Sequence, residues 1–131
     1  MATRGSRPIL ADSFIANEAI GRYAAVVYGS TNGHVELPGA KADVCAGIAQ
    51  DDATSSGDVI NVLQFGKSYV IASAAAAVGV SLAINDTVGR VYAPVSSTWA
   101  SGDGCIGWLE EAALASGDEV TAFINLRELY L

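Results

Sequence analysis

From residue 21 onward, short apolar runs alternate with glycine-rich turns, the grammar of strands rather than of helices. Residues 23–28 (YAAVVY) form a run rich in Val and Tyr, as a buried strand requires. Residues 29–33 (GSTNG) tolerate positive φ and predict a turn. Residues 34–37 (HVEL) alternate polar with apolar, the pattern of a half-buried return strand, and Pro38-Gly39 ends it. A strand interrupted at Gly47 is predicted over 44–49, and 58–65 (DVINVLQF) alternate again. Gly66-Lys67-Ser68 reads as a turn from which 69–71 return. Alanine-rich residues 72–77 are too few for a self-standing helix and predict a helical turn or a crossover loop. The second half repeats the scheme. It predicts a strand at 79–84, a turn at Asn85-Asp86 and a return through Gly89-Arg90-Val91-Tyr92. A Ser-rich loop at 94–102 holds Trp99, a strand at 105–109 is interrupted at Gly107, and 110–117 form a loop or helical turn. Residues 118–131 give the longest strand pattern, and its apolar end at Tyr130 and Leu131 predicts anchorage in a sheet or interface.

The stretch 40–58 (AKADVCAGIAQDDATSSGD) recurs as 100–118 (ASGDGCIGWLEEAALASGD), with eight of nineteen positions identical and no gap. Chance gives roughly one or two such matches, so the stretch marks an internal repeat. In each copy a glycine, Gly47 or Gly107, interrupts a strand, and Ser-Gly-Asp feeds the next one. Gly57 and Gly117 can take positive φ at no steric cost, while Asp58 and Asp118 can accept local amide bonds. The expected fold is therefore mainly β. It is a small antiparallel β-barrel or β-sandwich, β-tulip-like, built from pseudo-repeats at about 21–65 and 79–126 within one domain spanning 21–131.

Residues 1–20 read differently. Arg4 to Pro8 are polar and turn-rich, and Pro8 lacks a backbone donor; Ile9, Leu10, Phe14, Ile15 and Ile20 then bring apolar side chains without clear period. Two readings stand side by side. One is an extended N-terminal arm, with Arg4, Arg7, Pro8, Ile9, Leu10 and Phe14 on a neighbouring subunit or another surface; the other is a first strand packed on the chain's own core.

Composition narrows the function classes. Half of the residues (51%) are hydrophobic and only 16% charged, too few charges to coat a small domain, which predicts surface hidden by a partner or by further copies of the chain. The net charge is −7 and the seven basic residues are scattered, which argues against nucleic-acid binding. No run of 18 apolar residues exists to cross a membrane. The first residues lack a secretory apolar region, which predicts synthesis in the cytoplasm. Cys45 and Cys105, at equivalent repeat positions, read first as small core residues and second as a bridged pair.

No catalytic, cofactor or metal site is expected. His34 is the only histidine and no G-x-S-x-G elbow accompanies it. Three Cys and His residues in total fall short of a zinc site, and no phosphate-binding glycine motif occurs. Asp51, Asp52, Glu110 and Glu111 lie in equivalent loops, as solvated tips or, if brought together, as a calcium or acid–base cluster. Trp108 replaces Ile48 of the first copy and suggests core or interface packing. Trp99 either anchors its loop in the core or forms an interface hot spot or sugar platform.

The segments Cys45-Ala46-Gly47-Ile48-Ala49, Asp52-Ala53 and Ser56-Gly57-Asp58-Val59-Ile60-Asn61-Val62 resemble the tailed-phage capsid decoration (cement) proteins. So do Gly21-Arg22-Tyr23-Ala24-Ala25-Val26-Val27 and Gly33-His34-Val35, with a weaker second copy around Gly107 and Gly117, where Trp108-Leu109-Glu110 departs from Ile48-Ala49-Gln50. The resemblance implies a non-enzymatic β-barrel on the outer surface of an icosahedral head, commonly trimeric, that clamps neighbouring major capsid proteins. The alternative is a carbohydrate-binding β-module of a tail fibre or adhesin, motivated by Trp99, Tyr28, Tyr92 and the acidic loops.

Overall fold

The computed structural model describes residues 7–39, 44–94 and 105–126. Within them the chain forms nine strands and no helix: β1 (Arg7–Ala16), β2 (Ala25–Tyr28), β3 (His34–Glu36), β4 (Gly47–Ala49), β5 (Val59–Ile71), β6 (Ser81–Ile84), β7 (Val91–Tyr92), β8 (Gly107–Leu109) and β9 (Glu119–Asn125). Their order is β1-β3-β2-β4-β5-β9-β8-β6-β7, and β1 also pairs with β5. That extra pairing closes β1, β3, β2, β4 and the first half of β5 into a five-stranded barrel. The second half of β5 continues through β9, β8, β6 and β7, and a parallel bridge from Val91 back to Ala72 joins the ends of this second set. The fold is thus mainly β, as the pattern predicts.

The register shows how far the repeat extends. β1 meets the first half of β5 as Phe14↔Ile60 and Ile15↔Val59; the second half of β5 meets β9 as Val70↔Val120 and Ile71↔Glu119. Ala16 N donates to Asp58 O and Gly57 N to Ala16 O, while Ala72 N donates to Asp118 O and Gly117 N to Ala72 O. The bridge Ile20↔Ala53 matches Ala76↔Ala113. Of the two readings of the N-terminal segment, residues 7–16 follow the second: they are the first strand of the first repeat, packed on the chain's own core. The reason is the alternation of β1, which lets Phe14 and Ala16 pack on the first core cluster. Residues 1–6, including Arg4, lie outside the described residues, as do Trp99, Tyr130 and Leu131.

β5 serves both repeats, which corrects two expectations. Gly66-Lys67-Ser68 is not a turn: the strand runs through it, with Gly66 at φ +126°, paired to Pro8 on one side and Ile124 on the other. A glycine inside a strand permits the bend needed where one barrel passes into the next. β5, at 13 residues, is the longest described strand, and β9 ends at Asn125. Residues 72–77 and 110–117 are loops with isolated bridges and contain no helical turn.

Two apolar clusters follow the two barrels. The first holds Ala16, Ile20, Val26, Val35, Ala46, Ala49, Ile60 and Val62. The second holds the equivalent interior of the second barrel, among it Leu82, Val91, Ile106, Leu109, Val120 and Ala122, and also Ala25, Cys45, Ile48 and Leu63 from the first barrel. One flank of the first barrel is therefore buried against the second. Each fully buried aliphatic side chain there contributes about 1.5–3 kcal/mol of transfer free energy, which fixes the two barrels as one body.

Candidate interaction surfaces

The loops that carry the repeat's carboxylates are turn hardware. Asp58 Oδ2 accepts from Thr54 N (2.8 Å), Thr54 Oγ1 (3.0 Å) and Ser55 N (3.3 Å), and Asp118 Oδ2 accepts from Leu114 N (2.8 Å) and Ala115 N (3.0 Å). Those bonds hold the Asp58 carboxyl below its ordinary pKa, the Thr54 amide being the largest cause. Gly57 and Gly117 take φ of +98° and +91° in these turns, and a Cβ on either would meet open space. Asp51 accepts from Asn61 N and Glu111 from Thr121 N, so each loop's acids are engaged within their own repeat. Arg22 N donates to Asp52 at 2.6 Å.

Gly47 and Gly107 answer a different demand. Their φ values are +154° and +151°. A Cβ on Gly47 would run into Val62 Cγ1 and Leu63 O, and one on Gly107 into Phe123 O. Only hydrogen fits between these strands.

Among the described residues no group of three or more His, Cys, Asp or Glu could hold a metal ion. His34 Nδ1 sits 2.6 Å from Asn17 Oδ1, whose Nδ2 donates to Glu36. It is half-buried at the edge of β3. Cys45 is buried, its thiol donates to Gly47 O, and burial pushes its pKa up to about 12. Cys105 is half-buried and no disulfide joins the two.

What the fold does offer is aromatic surface. Trp108, on β8, is 40% exposed and stacks on Phe123 of β9 with centroids 5.0 Å apart. Phe123 meets Phe65 of β5 edge-on at 5.3 Å, and Phe65 is also exposed. Lys67 and Glu110 form an ion pair (3.2 Å) next to this group, Lys67 being the strand partner of Phe123. A second patch lies on the first barrel. Tyr28 is 56% exposed, accepts from Gln64 Nε2, and packs edge-on with Phe14 at 6.1 Å; Leu10 is exposed further along β1. Arg7 and Pro8 pair along β5 with Lys67 and Gly66, and Ile9 lies between them and Leu10 on the same strand.

The interface residues expected from the sequence thus fall in three groups. Phe14 and Leu10 have placed side chains on β1, Phe14 against Tyr28 and Leu10 exposed opposite Phe65; Arg7 to Ile9 are placed by their backbone; and Arg4, Trp99, Tyr130 and Leu131 are outside the described residues. Sequence reasoning missed Phe65 and Phe123. The signal was in the repeat: Trp108 and Phe123 pair on adjacent strands where the first copy pairs Ile48 and Leu63.

No protein-family model and no curated protein matches the chain. Among solved structures, the N base of the head fibre protein gp8.5 of bacteriophage phi29 superimposes with a TM-score of 0.67 at 20% identity, covering 88% of this chain and 93% of that one, so over that span the two share a fold.

Proposed function

We propose that this chain is a non-enzymatic structural protein of a phage virion, seated on the outside of an icosahedral head and bracing neighbouring major capsid proteins. The observation that carries the reading is the likeness to the phi29 head-fibre base over nearly the whole of both chains. The composition agrees with it: few charges, and large aromatic side chains left at the surface of a rigid double barrel. Rigidity suits the role, because a brace transmits load only if its own body does not yield. Modest contacts, repeated over many copies on one shell, sum to firm attachment. The loop carboxylates of Asp51, Asp58, Glu111 and Asp118 accept backbone amides of their own repeats, as structural turn residues do.

The test uses heads of the phage that encodes the chain, lacking this protein. Added protein is expected to co-sediment with them and to raise the temperature at which they release DNA. Failure to bind heads in both expanded and unexpanded form would refute the reading. Of the features that motivate the sugar-binding alternative, Trp99 lies outside the described residues, and Asp51 and Glu111 of the acidic loops accept backbone amides of their own repeats.

A further inference from the structure

The equivalent hairpin turns of the two barrels have the same length and different chemistry. Gly29 N donates to His34 O (2.9 Å) and Asn85 N to Arg90 O (2.7 Å). The flanking strands are in matching register, Tyr28↔Val35 and Ile84↔Val91. Asn32-Gly33 therefore stands in the β2–β3 turn where Val88-Gly89 stands in the β6–β7 turn.

The second turn is locked. Gly89 N donates to Asp86 O, Asp86 Oδ1 accepts from Val88 N and Arg90 N, and Gly89 O accepts from Ala25 N (2.9 Å). Gly89 is buried, and a Cβ there would strike Ala24 and Ala25. The first turn has Ser30 in place of Asp86. Thr31, Asn32 and Gly33 are exposed, and a Cβ on Gly33 would meet nothing within 4 Å. Among the described residues, no hydrogen bond engages Gly33 N or the Asn32 amide.

A free backbone nitrogen thus follows a free side-chain amide, and the glycine has no side chain to shield the approach. The other asparagines lack this combination. Asn17 is bonded to both His34 and Glu36, and Asn85 donates to Asp86. Asn61 accepts from Ser13 Oγ and precedes β-branched Val62, and Asn125 precedes Leu126.

We propose that Asn32 is a self-modification site, at which the folded chain converts its own asparagine to aspartate and isoaspartate. Gly33 N attacks Asn32 Cγ and gives up its proton. The new C–N bond closes a five-membered imide as the Cγ–Nδ2 bond breaks, and ammonia leaves with that proton. Water then opens the imide. Attack at Cγ restores the main chain with an aspartate, and attack at the main-chain carbonyl leaves an isoaspartate whose backbone runs through Cγ. Water is consumed and ammonia released, with no oxidant or cofactor. Asparagine is a thermolabile residue by this route.

The isoaspartate matters because of where the turn is tied. Gly33 O accepts from Ile15 N (2.9 Å), immediately before the parallel pairs Ile15↔His34 and Ala16↔Val35. Those pairs are the seam between β1 and β3 that closes the first barrel. An extra main-chain carbon ahead of Gly33 shifts that carbonyl and loosens the seam at its start.

The experiment ages the whole chain in warm, mildly alkaline buffer and follows each asparagine by peptide mass spectrometry. Position 32 is expected to gain the mass of amide-to-acid conversion in the folded protein, faster as pH rises, while Asn17, Asn61 and Asn85 stay intact. Val88→Asn supplies the control, since it places the same dipeptide in the locked turn; Val88 is exposed, so the substitution spares the core. Position 88 of that variant is expected to stay intact in the folded chain and to convert as fast as position 32 in urea. A folded wild type that keeps Asn32 intact, or equal folded-state rates at positions 32 and 88, would overturn the proposal. Amide hydrogen exchange reads the consequence. Exchange at Ile15 is expected to quicken in aged protein and not in Asn32→Asp, which carries the charge without the added carbon. Equal exchange in the two would overturn the loosening of the seam.

Discussion

Tyr23 and Gly79 occupy the same place in the two repeats, and both stand in the left-handed region, at φ +68° and +86°. Tyr23 N donates to Ala49 O as Gly79 N does to Leu109 O. Tyr23 is the one described non-glycine residue with positive φ. Its ring packs against the second cluster, meets Tyr69, and lies 5.2 Å beneath the Arg22 guanidinium. The first repeat accepts a backbone cost of roughly 1–2 kcal/mol there, and the contacts between barrels offset it.

That arrangement reverses the usual order of substitutions. Tyr23→Ala removes the ring and keeps the strain, whereas Tyr23→Gly removes both. Both variants are expected to lose stability, and the glycine variant is expected to be the more stable of the two by about 1 kcal/mol. Urea unfolding of the pair decides it: an alanine variant equal to or more stable than the glycine variant refutes the account.

The four repeat glycines separate into two classes. Gly57→Ala and Gly117→Ala meet open space and bear only the cost of positive φ, about 1 kcal/mol each. Gly47→Ala and Gly107→Ala add a collision with the neighbouring strand's backbone, and each is expected to cost more than about 3 kcal/mol or to prevent folding. Thermal melts of all four variants check the ranking, and equal losses across the set would remove the close-approach argument.

The strand grammar and the 40–58/100–118 repeat were open to reading because both consist of local signals: alternation, Gly positions and Ser-Gly-Asp. The N-terminal strand was not, for a physical reason. Ala16 matches Ala72 at an offset of 56, while Ala53 matches Ala113 at 60, so a gap-free comparison cannot carry the repeat upstream. Only Ile15/Ile71 and Ala16/Ala72 coincide between the ends of β1 and β5. Gly66-Lys67-Ser68 has the composition of a turn, and only long-range pairing to Pro8 and Ile124 keeps it extended. The candidate surfaces depend on which flank each barrel buries, a tertiary fact with no local signature.

Acid should loosen the turns before the barrels. The Asp58 carboxyl is held below its ordinary value of 3.8 by bonds from Thr54 and Ser55. At Asp86 burial raises the pKa, but bonds from Arg90, Asn85 and Val88 outweigh it and leave it lowered. A carboxyl with a depressed folded pKa contributes stability that is complete above the unfolded value and is lost as pH falls through the folded one. Stability is therefore expected to hold down to about pH 4 and to decline below it. Asp58→Asn is expected to shallow that decline, and an unchanged acid profile in this variant would count against the role given to Asp58.

The two cysteines should report on the burial of their repeats. Cys45 lies in the packed flank with its thiol pKa near 12, so almost none of it is thiolate at neutral pH; Cys105, its equivalent, is half-buried. A thiol reagent is expected to modify Cys105 in the native protein and Cys45 only after denaturant is added. Mass spectrometry of the labelled peptides separates the sites, and early labelling of Cys45 would contradict the packing of the first barrel on the second.

The sharpest contrast between the copies is Ile48 against Trp108. Ile48 is fully buried between the barrels, and Ile48→Ala is expected to cost about 2–5 kcal/mol through lost transfer energy and the cavity left behind. Trp108 occupies the same register on an open flank, and a dilute monomer loses only its stacking on Phe123 when it is removed. Trp108→Ala is therefore expected to lower monomer stability by about 1 kcal/mol. The difference follows from burial: one side chain fills the space between the barrels and the other covers a neighbouring ring at the surface. Urea unfolding of Ile48→Ala and Trp108→Ala beside the wild type measures both costs, and equal losses at the two positions would contradict the packing of the first barrel on the second.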